Sequence, residues 1–202
     1  MKMGFIAKDK GNADFKRIPP GSYIARCYLL VDMGEQLSDG KFGQSVQHKI
    51  RLGWEVFGED ETGAPLTVEY EGVQRQMTIG KTYTLSLNEK AGLRKDLTSW
   101  RGRDFSPEEL EGFDITNILN VYCMLNITTS EKDGKTYTNI SAITPLPSAL
   151  KNAKPTPDHE VVTFNLDDPD WAAFEALPEW LSDAIKKSPQ YAELAAMPRD
   201  GF

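Results

Sequence analysis

The chain has 202 residues, 40% of them hydrophobic and 26% charged, which suits one domain with a real core plus an appendage and is short for two full domains. Its net charge of −7 is uneven: residues 1–150 carry 18 Lys and Arg against 20 Asp and Glu, whereas residues 151–202 carry 5 against 10. No apolar run approaches the length that spans a bilayer, and the N-terminal MKMGFIAKDKG lacks the apolar stretch of a secretory signal, so a cytoplasmic protein without membrane contact is expected.

In chain order, PPGSY (Pro19 to Tyr23) marks a turn, and YIARCYLLVD (Tyr23 to Asp32) predicts a first strand. MGEQLSDGKFGQ, with Gly34, Gly40 and Gly43, reads as a flexible loop. SVQHKIRLGWEVFG then alternates: Val46, His48, Ile50, Leu52, Trp54 and Val56 fall on one face, and Gln47, Lys49, Arg51 and Glu55 on the other. A turn at Glu59 to Pro65 leads into a weaker strand from Leu66, and KTYTLSL (Lys81 to Leu87) is a further strand or its continuation. Leu93, Leu97 and Trp100 share one face of a short helix that Gly102 stops. Ser106-Pro107-Glu108-Glu109 is a capping box with proline at the first helical position, which starts a second short helix. VYCMLNITTS and TYTNISAITPLP are two strands joined by the Asp133-Gly134 turn signal. Cys27 and Cys123 lie far apart in apolar strand-like runs and read as buried thiols. A proline-punctuated linker (Pro145, Pro147, Pro155, Pro157) precedes short acidic helices over Trp171 to Ile185 and Pro189 to Met197.

Three strands, a helix, and a closing hairpin give the order of a mainly β, five-stranded OB-fold Greek-key barrel with a helix between strands 3 and 4. Up-and-down barrels and sandwiches fit the lone helical insertion less well. The expected division is a barrel over residues 1–150 followed by a linker and acidic C-terminal tail with short helices over 151–202. In that barrel the Leu93–Leu97–Trp100 face plugs one end, so Trp100 is expected in the core while Arg94, Lys95 and Arg101 lie elsewhere on the helix.

Catalytic patterns are absent: no HExxH, CxxC, GxGxxG or GxxxxGK[ST] occurs, and His48 lies on the apolar face of its strand, where a satisfied core histidine is the expectation. No catalytic residue, metal or cofactor is assigned. The outward strand faces are more informative. Arg26 and Tyr28 on the first strand, Lys49 and Arg51 on the second, Tyr122 and Asn126 on the fourth, and Tyr137 on the fifth would line one groove, with Lys132 and Lys135 at the hairpin tip. The basic window from Lys81 to Arg103, with six bases against two acids, adds Lys81, Arg94, Lys95, Arg101 and Arg103. Cations interleaved with aromatic rings suit a single nucleic-acid strand, which binds by phosphate pairing and base stacking. Eight acids and no base between Asp158 and Asp183 make the tail an anionic competitor for that groove or a surface for partner proteins; Asp167, Asp168, Asp170, Trp171, Phe174, Trp180 and Phe202 are its candidate residues. The apolar positions 171, 174, 177 and 181 form a stripe that would instead pack on the body.

LSLNEKAGLRKDLTSWRGRDFSPEELEGFD followed by VYCMLNITTSEKDGKTYTNISAITPLP resembles the small single-stranded DNA-binding-like proteins encoded in the replication or recombination regions of tailed bacteriophages and prophages. The resemblance covers about residues 20–150. It implies an OB-fold and sequence-tolerant binding of single-stranded DNA, protecting displaced strands. Such proteins often end in an acidic tail with a terminal aromatic residue that recruits replication or recombination proteins. This chain ends in Phe202, but PRDGF offers only Asp200 beside Arg199, and its acids lie further upstream. The competing expectations are a non-catalytic protein-interaction module on the same barrel acting through the acidic tail and, third, a nuclease or other metal enzyme with scattered ligands. The oligomeric state is left open.

Overall fold

The alternating run after Ser45 becomes the central hairpin of the molecule. In the computed structural model, which describes residues 16–40 and 43–196, strands β1 (Gly21–Gly40) and β2 (Gly43–Phe57) pair antiparallel from Ile24↔Phe57 outward. Next come the small hairpin β3 (Thr67–Tyr70) and β4 (Val73–Gln76), then β5 (Thr78–Thr84), helices α1 (Gly92–Arg101) and α2 (Pro107–Glu111), and the hairpin β6 (Tyr122–Lys132) and β7 (Lys135–Pro145). A short β8 (Val162–Phe164) and helices α3 (Trp171–Glu175), α4 (Glu179–Ile185) and α5 (Pro189–Ala196) complete the described residues.

The protein is mainly β. The main sheet has the order β5-β2-β1-β6-β7, all antiparallel, with β8 added parallel to β1. Helix α1 packs against β5 and β7, the two ends of that order. Its cause is visible in the sequence: Leu93, Leu97 and Trp100 are buried on one face, and Gly102 closes the helix in the left-handed conformation at φ 68°. Trp100 is core, 5% exposed, with its ring 5.9 Å from that of Trp54. The expected capping box also forms, Ser106 accepting from the Glu109 N–H and Glu109 from the Ser106 N–H.

Two departures from the sequence reading matter for the site. Of the residues 33–44 expected as a flexible loop, those described, 33–40 and 43–44, instead lengthen the β1–β2 hairpin, with Gln36 facing Gln47 and Ser38 facing Ser45. Gly34 does not break the strand. At φ 67° it follows an irregularity, its N–H donating to Asp32, and the ladder then resumes.

The second departure is a bulge between Cys27 and Leu29. Up to Cys27 the odd residues of β1 face the core that holds Trp54 and Trp100; beyond the bulge Leu30 faces Leu52, and Leu29 and Val31 turn to the outer side. A single extra residue inverts the faces of a strand. One strand thereby serves two cores. The first gathers Ala25, Cys27, Leu52, Trp54, Leu97, Trp100, Leu125 and Ile143; the second gathers Leu29, Val31, Met33, Phe164, Leu166, Phe174, Leu177, Leu181 and Ile185. Each buried Leu, Ile, Val, Met or Phe among them contributes about 1.5–3 kcal/mol relative to exposure.

Candidate nucleic-acid interface

The outer face of β1 carries a buried ion pair that sequence periodicity gives no reason to expect. Arg26 is 2% exposed and Glu55 fully buried. Arg26 Nε donates to Glu55, its Nη1 to Asn120 Oδ1 at 2.9 Å, and its Nη2 to the carbonyl of His159. The other Glu55 oxygen accepts the backbone N–H groups of Asp158 and His159 at 3.0 and 2.9 Å. The proline-rich stretch is therefore laid across the sheet. Tyr122 Oη donates to the Pro155 carbonyl at 2.6 Å, and the His159 ring lies 4.9 Å from that of Tyr28. Burial pushes the Tyr28 hydroxyl pKa up.

These contacts correct the expected groove. Arg26 and Tyr28 do not line an open surface, and Tyr122 is half-covered, because Glu55 on the same face draws in the chain that covers them. Asn126 is half-buried and accepts from Ser22. Lys132 and Lys135 face one another at the exposed β6–β7 tip, with Tyr137 46% exposed beside them. That tip lies beyond Ile127, where pairing with β1 begins at Gly21.

Most of the basic window is neutralised locally. Lys81 pairs with Asp96 at 2.7 Å, and Arg94 meets Asp104 at 3.4 Å, while Lys95 is exposed. Arg101 and Arg103 converge on Glu109, whose pKa is held down to about 2, first by Arg103. The Arg101 guanidinium also lies over Phe105 at 4.3 Å and Phe113 at 5.0 Å. A cleft of about 660 Å³ opens beside this cluster and is completed by Lys151 and Lys154.

Lys49 and Arg51 stand apart. They occupy consecutive outward positions on β2, opposite Thr84 and Thr82 of β5. Lys49 Nζ donates to Gln47 and to Thr84 Oγ1 at 2.8 Å, and Arg51 Nη1 donates to Thr82 Oγ1 at 3.0 Å. Among the described residues no carboxylate forms an ion pair with either. Burial pushes both pKa values down, opposed at Arg51 by the nearby Tyr28 hydroxyl. The Arg51 guanidinium lies against Gly80, where an added Cβ would sit 2.7 Å from Nη2. The same guanidinium lies over the Trp180 ring, 4.7 Å from its centroid. A glycine inside a strand signals such a close approach; nothing local in the sequence brings Trp180 there.

The tail candidates separate. Phe174 is buried and Trp171 half-buried in the second core, their rings 5.8 Å apart. Asp167 and Asp168 are exposed, and Asp170 caps α3 by accepting from Ala172 and Ala173. Trp180 is 55% exposed. Phe202 lies outside the described residues.

His48 sits not in the core but at a rim cleft, its Nε2 2.6 Å from Asp32 Oδ1 and its side chain 37% exposed. No model of a known protein family matches this chain, and no curated protein does.

Proposed function

We propose that the protein binds single-stranded DNA with little sequence preference, without catalysis, on the outer face of β2 and β5, and that it protects displaced strands during phage-type replication or recombination. The observation that carries this reading is the pair Lys49 and Arg51, two cations on one strand face that are hydrogen-bonded to neutral side chains alone. A phosphate arriving there meets charge that no carboxylate has already taken, in a setting less screening than bulk water. The pairing order β5-β2-β1-β6-β7, with α1 between the third and fourth of those strands in sequence, supports an OB-fold, whose second and third strands carry oligonucleotides. The chain's resemblance to phage and prophage single-stranded DNA-binding proteins points the same way.

Anisotropy titrations of labelled oligo-dT against salt test the reading. The logarithm of affinity should fall linearly with the logarithm of salt concentration, and Lys49→Gln with Arg51→Gln should reduce that slope by about 1.4 at roughly 0.7 per phosphate. Equal affinity for duplex, or affinity indifferent to salt, would falsify it. The exposed Asp167 and Asp168 favour one second reading, a protein-interaction module working through its acidic C-terminal segment. That reading predicts no oligonucleotide binding at all.

A further inference from the structure

We infer that Trp180, from the C-terminal segment, is a base-stacking platform of the strand-binding face. This rests on the single-strand reading above. The sequence suggests that the acidic tail would compete with a strand for the cations. Its position at Arg51 supports a different role.

Three elements meet at the Arg51 guanidinium. Gly80 of β5 leaves room for the guanidinium, Arg51 of β2 fills it, and Trp180 of α4 covers the guanidinium at 4.7 Å. Guanidinium and indole are flat and polarisable, and the indole is still 55% exposed. Helix α4 is held in place from its other side, because Leu181 and Ile185 are fully buried in the second core. Trp180 is thus an exposed ring on a fixed support. What distinguishes this exposed ring is its place over an unpaired cation on the strand face, and a nucleobase suits it, since every base has a face to lay on an indole. Lys49, two residues from Arg51 on the same face, offers the neighbouring phosphate contact. Glu179 beside Trp180 is exposed and disfavours a phosphate at the ring itself, which puts the base, not the backbone, against the indole.

The other three tryptophans are less exposed: Trp54 and Trp100 are buried and Trp171 half-buried. Intrinsic fluorescence therefore reports chiefly on Trp180 when a strand is added. Full-length protein is titrated with oligo-dT and with an abasic strand of equal length. We expect oligo-dT to quench the emission and the abasic strand to leave it unchanged. Trp180→Ala should weaken oligo-dT binding by roughly 5- to 150-fold, with abasic binding and melting temperature preserved. Trp180→Phe should keep most of the affinity and lose most of the quench. Gly80→Ala should reduce the quench by displacing the guanidinium beneath the ring.

Oligo-dT affinity in Trp180→Ala equal to or above wild type overturns the inference while leaving the single-strand reading intact. Wild-type protein that binds neither strand overturns both.

Discussion

Glu55 shows how far one residue can depart from what its spacing implies. Alternation puts it on the outward face with Lys49 and Arg51, and its partner Arg26 on the outward face of β1, and both assignments are correct for the backbone. Burial is decided by what crosses over them. Glu55 has lone pairs for about four acceptor contacts, and Arg26, Asp158 and His159 use three of them. Glu55→Ala leaves a buried guanidinium without its carboxylate and two amide N–H groups without an acceptor, so it should destabilise the fold by about 3–5 kcal/mol. Denaturant unfolding reads the loss, and hydrogen exchange at Asp158 and His159 should quicken in the native state. Exchanging both members for apolar residues, Arg26→Met with Glu55→Leu, should recover part of it, because no lone charge then remains buried. Sequence periodicity carries no information about such a pair, since the residues that cover it are more than a hundred positions away. Trp100 is the opposite case: its helical spacing with Leu93 and Leu97 alone indicates core.

At the level of elements, what local chemistry dictates is what was readable. The capping box of α2, the glycine stop of α1 and the Asp133-Gly134 turn each arise within a few residues, and each forms where expected. The alternation of β2 holds as burial only at Ile50, Leu52, Trp54 and Val56, since Val46 and His48 lie outside the core and Glu55 on the other face is buried. The single weak strand expected after Leu66 is instead a hairpin, turning at Glu71 and Gly72 with φ of 50° and 79°. Strand β8 was hidden because it is three residues long and its pairing with Leu29, Leu30 and Val31 depends on the bulge in β1. The stripe at 171, 174, 177 and 181 was readable as a packing face, and Leu29, Val31 and Met33 are what it packs on. A chain ending at Leu150 should therefore melt at a lower temperature than the full chain, or aggregate, since it exposes those three side chains and uncovers Arg26 and Glu55. Tail removal that leaves the melting temperature unchanged would show that the second core contributes no stability.

For the whole molecule, the charge split has a different meaning from the one composition suggests. The acids of residues 158–183 are not a free polyanion near a basic groove. Asp158 accepts from the Gln76 N–H at 2.7 Å and meets Arg75, Asp170 caps a helix, and Asp183 meets Lys186. Apolar burial fixes the segment, and its charges are carried along. The two cores share β1, so neither should melt alone. Heating should give one transition, with the near-ultraviolet signal of Trp54 and Trp100 and the exchange of α4 amides lost at the same temperature. Two separated transitions would mean that β1 holds the first core without its outer partners.

The bulge in β1 also sets an order of events in time. Translation supplies β1 early and its outer partners late: roughly forty residues separate the end of β7 from Ile185. At synthesis rates of about 5–20 residues per second, the ribosome takes several seconds to cross that interval. During those seconds every strand of the β5-β2-β1-β6-β7 order has been made, yet Leu29, Val31 and Met33 have nothing to cover them. The nascent chain is then at its most adhesive, and a slow codon or a translational pause within residues 146–185 lengthens the period in which a chaperone, or a second copy, meets that bare strand first.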